Sequence, residues 1–198
     1  MLPFELSYKD LGVTFSDDDV ITGKRRSPSQ AGDRKARMYY ATAREYAKLQ
    51  GLTIRGPAVL LDSHRANMGM LYAARGGKAM EYARALFDKG WPSGWRDIDM
   101  TDVDVLEHTL IDSGCNSKGF RDYLTSGEAA LEYEKVRIDA KSSGITGVPH
   151  YALQLDGALK PGLFGREHLS LLRHWLHEAG LQRRDDVIPD VSHAWRGA

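Results

Sequence analysis

The sequence predicts an α/β protein in which an all-helical middle leads into a strand, hairpin, strand and helix near the C-terminus. Three observations carry that reading. Apolar residues recur at helical spacing from Lys35 to Lys141, broken by glycine, serine and proline. Strand-like character begins only at Tyr151-Ala152-Leu153-Gln154-Leu155. At the junction stands Gly144-Ile145-Thr146-Gly147-Val148-Pro149. A proline at a strand entrance cannot donate to a ladder, so Gly-Val-Pro reads as a tight turn, compatible with a cis-prolyl bond, that leaves the neighbouring backbone open to bind something.

The first helix is predicted from Lys35 to Gln50, where Met38, Tyr39, Ala43, Tyr46 and Ala47 share a period and Gly51 ends the pattern. Before it, Ser16 to Arg34 mixes Asp17-Asp18-Asp19 with basic residues, Pro28 and glycines without period, and reads as a surface loop or lid. Asp62-Ser63 offers capping oxygens to a helix ending at Gly76-Gly77. Ala79 to Lys89 follows, with Met80, Tyr82, Ala83, Leu86 and Phe87 as a stripe expected to face other helices, until Gly90-Trp91-Pro92-Ser93-Gly94 breaks the chain. Thr101-Asp102-Val103-Asp104 has the form of a capping box with Asp in place of Glu, and opens a helix ending at Ser113-Gly114. A short helix near Lys118 to Leu124 and a longer one from Gly127 to Lys141 complete the helical part. Beyond it come a strand from Tyr151 to Leu155, a turn at Asp156-Gly157, a second strand near Leu159 to Leu163, and a helix from Arg166 to Ala179. That last helix is expected to bury Leu169, Leu172, Trp175 and Leu176 against the sheet. The polar tail after Gly180 reads as extended over the surface.

Composition narrows the function. With 27 basic and 27 acidic residues in 198, the chain has no net charge to steer polyanions, so no nucleic-acid partner is expected. Met1 to Leu6 has neither a basic start nor a long apolar run, and no later stretch approaches the roughly 20 apolar residues of a membrane span. A cytoplasmic protein with no membrane partner is expected. Cys115 is the single cysteine, which excludes an intrachain disulfide and a Cys-x-x-Cys pair within this chain. It has no adjacent Lys, Arg or His to activate a thiolate, and reads as structural. His168, His174 and His177 lie on the last helix without a carboxylate or cysteine at ligand spacing, so no metal site is expected.

Gly147-Val148-Pro149, followed after a hairpin by Leu163-Phe164-Gly165-Arg166-Glu167-His168-Leu169-Ser170-Leu171-Leu172, resembles the C-terminal half of the DsbA superfamily of thioredoxin-like proteins. Within it the pattern resembles most the branch of kappa-class glutathione transferases and 2-hydroxychromene-2-carboxylate isomerases. Asp62-Ser63 opening a helix with Ala66-Asn67, and Trp91 to Asp99 leading into Val103-Asp104-Val105-Leu106, also resemble the helical insertion of that superfamily. The resemblance implies a thioredoxin-like, DsbA-like α/β fold with an inserted all-helical domain: 1–34 and 145–182 as the thioredoxin-like part, 35–144 as the insertion, 183–198 as a tail.

It also implies that Pro3-Phe4-Glu5-Leu6 matches the end of the family's second strand. The strand and helix ahead of it, which carry the family's Ser-Pro-x-Ser or Cys-x-x-Cys motif, are then missing from this chain. Ser27-Pro28-Ser29 lies too close to the Lys35 helix to stand in for that motif, so the catalytic residue is unassigned.

In proteins of this kind the residue before the proline pairs through its backbone with the cysteinyl part of glutathione, and the last helix start receives the γ-glutamyl carboxylate. The implied cofactor is therefore glutathione, at Val148 and Pro149 and at Gly165, Arg166 and Glu167. Arg166 and Glu167 depart from the Ser-Asp the family commonly has. His64, Asn67 and Trp91 are candidates for a substrate groove, against the plainer reading that they cap and pack. The implied activity is that of a glutathione-dependent isomerase or transferase on a small, aromatic-degradation substrate. The alternative is a catalytically degenerate family member that binds or assembles, and unpaired sheet edges point to a homo-oligomer in either case.

Overall fold

The computed structural model describes Pro3 and residues 30–57, 61–155, 158–159, 162–165 and 169–181. The chain divides into two units, Met1–Asp139 and Ala140–Ala198. Among the described residues no helix is long and apolar enough to cross a membrane.

In the first unit, α1 spans Gln30–Leu49. It begins five residues earlier than its apolar period, so the last part of the expected Ser16–Arg34 loop is helical; Ser16 to Ser29 lies outside the described residues. Gln, Ala and Arg are good helix formers, and a polar turn needs no buried stripe to extend a helix that already exists. Ala47 is buried and Tyr40, Ala43 and Tyr46 are half-buried, whereas Met38 and Tyr39 project outward.

Helix α2, His64–Arg75, starts where the cap was expected, but Asp62 does the capping: its carboxylate accepts the His64 N–H at 2.9 Å, while the Ser63 hydroxyl makes no cap bond. Helix α3, Ala79–Gly90, buries Tyr82 and Leu86. Met80 and Phe87 are half exposed, which corrects their place in the expected buried stripe. Met80 lies two residues from Tyr82, about 200° around the helix, and cannot share its face.

Helix α4 covers Val103–Asp112. Its N-cap is Asp102, which accepts the Asp104 N–H at 2.8 Å. The expected box with Thr101 as cap does not form, because Asp99 takes both the N–H and the hydroxyl of Thr101, at 2.8 and 2.7 Å. Helices α5, Phe120–Thr125, and α6, Glu128–Ser142, complete the set.

The core lies among α2 to α6, with Leu106, Leu110, Phe120 and Ala129 fully buried and Tyr82 and Tyr133 nearly so. Thr109 is the buried polar residue there. Its hydroxyl donates to the Val105 carbonyl at 2.8 Å and receives Lys89 Nζ at 3.3 Å.

Burial raises the pKa of the Tyr82 phenol, and burial together with the Glu132 carboxylate raises that of Tyr123. A raised folded-state pKa gives stability that is complete below the unfolded value of about 10 and is lost as pH climbs past it. Of nine tyrosines, these two are expected to ionise late and cooperatively with unfolding. Phenolate absorbance and far-UV circular dichroism followed together through alkaline pH check this; phenolate signals complete before any loss of helix would contradict it.

In the second unit the expected strand from Tyr151 to Leu155 is split. Strand β1, His150–Tyr151, pairs antiparallel with β4, Leu163–Phe164; β2, Gln154–Leu155, pairs with β3, Ala158–Leu159. Leu155 opposes Ala158, so Asp156-Gly157 are the two residues between the strands, where the turn was expected; their own structure lies outside the described residues. Ala152 and Leu153 carry no strand pairing and separate the two ladders along the chain.

Helix α7, Leu169–Glu178, closes with Gly180 at φ +79° and the Leu181 N–H on the Leu176 carbonyl at 3.0 Å. Leu169, Leu172, Trp175 and Leu176 are half-buried and none is buried, contrary to expectation. Two-residue strands offer too little sheet, among the described residues, to cover a four-residue stripe.

Candidate functional site

The Gly-Val-Pro segment is the part of the second unit best organised for binding. The Val148–Pro149 peptide is cis. The Pro149 carbonyl accepts the Gly165 N–H at 2.9 Å, and one residue later the β1–β4 ladder begins with His150 opposite Phe164. Neither the N–H nor the carbonyl of Val148 bonds another described residue, and the side chain is 48 % exposed. The segment 147–149 is a bend, and these backbone groups, free among the described residues, stand two positions ahead of the β1–β4 ladder.

Gly147 is what allows it. A Cβ there would fall 2.8 Å from the Phe164 ring, so only glycine lets the ring lie against the backbone beside Val148. Gly165 has φ +99°, which a side chain would resist, and its N–H is already engaged by Pro149. Arg166 and Glu167, expected at the helix start, lie outside the described residues.

The other candidates belong to the helical unit. The Asn67 amide donates to the Tyr133 hydroxyl at 2.9 Å and to the Ser63 hydroxyl at 3.4 Å. His64 meets the Tyr133 ring edge to face, centroids 5.0 Å apart. Tyr133 of α6 therefore gathers His64 and Asn67 from the first turn of α2. Nothing in the sequence singled it out, because its partners are more than sixty residues away. Trp91 is placed elsewhere, in an aromatic row with Tyr40, Trp95 and Phe87 at centroid separations of 6.4, 5.5 and 6.4 Å.

At the other end of α2, Arg75 binds Glu128 and Glu132 and lies over the Tyr123 ring at 4.4 Å. Cys115 lines a cleft of about 320 Å³ together with Arg75 and Lys78. The fold thus supplies the cations that the sequence neighbours of Cys115 lack. Both are already committed to carboxylates, Arg75 as above and Lys78 to Glu81 at 3.2 Å, and the thiol itself meets the Ser113 hydroxyl at 3.5 Å. On the last helix His174 faces Glu178 at 3.4 Å.

Residues 17–177 match the family described as the DSBA-like thioredoxin domain. The chain belongs to this family. Ten solved chains match the DSBA-like protein; among them is a 2-hydroxychromene-2-carboxylate isomerase (HCCA isomerase), with a TM-score of 0.56 at 22 % identity over 83 % of this chain and 78 % of that one. The fold is accordingly thioredoxin-like, of the DsbA type, with a helical insertion. Comparison with curated proteins gives no match.

Proposed function

We propose that this DSBA-like protein is a glutathione-using isomerase or transferase, on the side of the family that includes the HCCA isomerases, and that its substrate is a small electrophile of the kind aromatic degradation produces. The observation that carries the reading is the free backbone at Val148. An N–H and a carbonyl on one residue, two positions ahead of β1, can pair with the backbone of a cysteinyl residue laid alongside. A dithiol mechanism draws no support from within this chain, whose one cysteine is Cys115.

The fit rests on a donor and an acceptor that are both unengaged among the described residues, beside a proline carbonyl that is engaged. Bound glutathione would supply a thiolate able to add to a conjugated double bond and leave again, which permits geometric change without net consumption. The chain's own part is to hold the peptide. Val148 pairs with the cysteinyl backbone, Gly147 leaves room for the Phe164 ring against the backbone, and the backbone N–H groups of Arg166 and Glu167, which precede the last helix in sequence, are proposed together with the Arg166 guanidinium to meet the γ-glutamyl carboxylate.

Titration calorimetry with reduced glutathione, paired with amide chemical shifts, tests this. Saturable heat in the millimolar range or tighter, with the Val148 amide among the largest shifts, is the expected result. Absence of heat at millimolar ligand removes glutathione from the function, and heat without a Val148 shift removes this site.

A further inference from the structure

Helix α6 carries apolar residues on two opposite faces. On its inner side Ala129 and Tyr133 are buried and Val136 packs against the core. On its outer side Leu131 and Ile138 are 77 % and 57 % exposed. Seven residues bring a helix back to within about 20° of the same direction, so these two stand in line, about 10 Å apart. A surface helix needs one apolar stripe, and that of α6 already lies in the core.

The charges around this outer pair are arranged about a midpoint. Leu131 and Ile138 lie equally far from the peptide joining Glu134 to Lys135, whose side chains flank the stripe on opposite sides. Towards the helix ends Glu128 and Lys141 repeat the relation. Reversing the helix end for end therefore exchanges leucine with isoleucine and each of these glutamates with a lysine. A second copy laid antiparallel, across a two-fold axis through that midpoint, puts Leu131 against the partner's Ile138. It also puts Glu134 beside the partner's Lys135 and Glu128 beside the partner's Lys141. Glu128 binds Arg75 and Glu134 binds Arg137 at 2.7 and 2.9 Å, each through one carboxylate oxygen. The antiparallel arrangement further sets the positive N-terminal end of each helix beside the negative C-terminal end of the other.

We propose that the outer face of α6 is a self-association surface, on which a second copy of this chain seats its own α6 antiparallel. Charge complementarity names the occupant. An interface with two-fold symmetry requires a surface that complements itself on reversal, and this stripe does so in its apolar pair and in its flanking charges. An unrelated partner would impose no such relation on the sequence. Two apolar side chains from each copy make a small contact, at the weak and transient end of protein interfaces. The surface does not depend on the glutathione reading, which concerns residues beyond α6.

Sedimentation velocity of the whole chain over a concentration series tests this. A monomer–dimer equilibrium, half associated near ~0.1 mM, is expected. Leu131→Gln should weaken it at least roughly tenfold, because one change removes two leucines from a two-fold contact, and should leave the melting temperature of the dilute monomer unmoved. Ile111→Gln, 51 % exposed on α4, should leave association unchanged. Glu134→Lys and Lys135→Glu should each weaken self-association by setting like charges side by side, while an equimolar mixture of the two variants associates as the parent does. Orientation is read by cross-linking on a Cys115→Ser background. Under mild oxidation Leu131→Cys should join to Ile138→Cys when the two are mixed, and neither should join to itself. Any of four results overturns the proposal: a monomer up to about 1 mM, a dimer that Leu131→Gln leaves unchanged or weakens no more than Ile111→Gln does, a mixture of the charge variants that fails to associate, or Leu131→Cys joined to its own copy.

Discussion

Phe120→Ala is expected to destabilise the helical unit by about 4 kcal/mol, the cost of deleting a fully buried ring and leaving a cavity. The ring sits at the first position of α5 and meets Tyr72 of α2 edge to face, centroids 5.3 Å apart. Helix α5 has six residues, far too few to stand alone. It is held by the burial of Phe120 and Tyr123 and by the Tyr72 hydroxyl donating to the Lys118 carbonyl at 2.6 Å just ahead of it. Loss of the ring should therefore free residues 117–126 first, visible as faster amide exchange there, and lower the chemical denaturation midpoint of the unit. Ile111→Ala, at a position 51 % exposed one helix earlier, should cost within about 0.5 kcal/mol. Equal losses in the two variants would show that the core is not centred where Leu106, Leu110 and Phe120 place it.

Gly90→Ala should cost about 3 kcal/mol although alanine is the better helix former. A Cβ at this position would lie inside the van der Waals shell of the Trp95 ring, at 2.4 Å from its nearest atom. Trp95 is buried, its φ is +62°, a left-handed conformation unfavourable for a bulky side chain, and Gly94 before it is also left-handed. Gly94 is itself tight, since a Cβ there would meet the Gly56 carbonyl at 2.7 Å. In a chain of this length such a loss lowers the melting temperature by roughly 6–12 °C. The double variant Gly90→Ala/Trp95→Leu discriminates the cause. If the ring clash is responsible, the two changes should be strongly non-additive, with the pair losing less than the sum of the singles. Additive losses would move the cause to the helix terminus instead.

Much of this molecule was legible from residue order. Helices α1 to α6 were visible because their apolar period and glycine stops are properties of neighbours along the chain, and the turn at Val148-Pro149 because proline restricts its own backbone. Resemblance named the family through residues as short as Gly147-Val148-Pro149 and Leu163-Phe164-Gly165, and the match over residues 17–177 places the chain there.

The misses share a physical form. Thr101 looked like a cap, but Asp99, two residues away, captured its hydroxyl and passed the role to Asp102. Met80 and Phe87 looked like core because hydrophobicity marks a stripe without saying how much of it a neighbour will cover. The strand after Pro149 looked continuous because alternation does not reveal where one ladder hands over to another.

Sites were least legible. His64 and Asn67 stood out as polar residues after a cap, but their common partner Tyr133 lies far down the chain, and only folding brings the three together. Leu131 and Ile138 carry no mark of their outward placement, which only the burial of Ala129 and Tyr133 on the other side of α6 reveals.

By itself, then, residue order determined the elements, their stops, the bend at Pro149 and membership of a thioredoxin-like family, because each depends on short-range backbone preference or on local identity. The tertiary structure alone decided which apolar faces are covered, which carboxylates pair with which cations, and that among the described residues Val148 keeps both backbone groups open. Those properties arise from close packing and hydrogen-bond pairing between residues distant in sequence, and no local pattern encodes them.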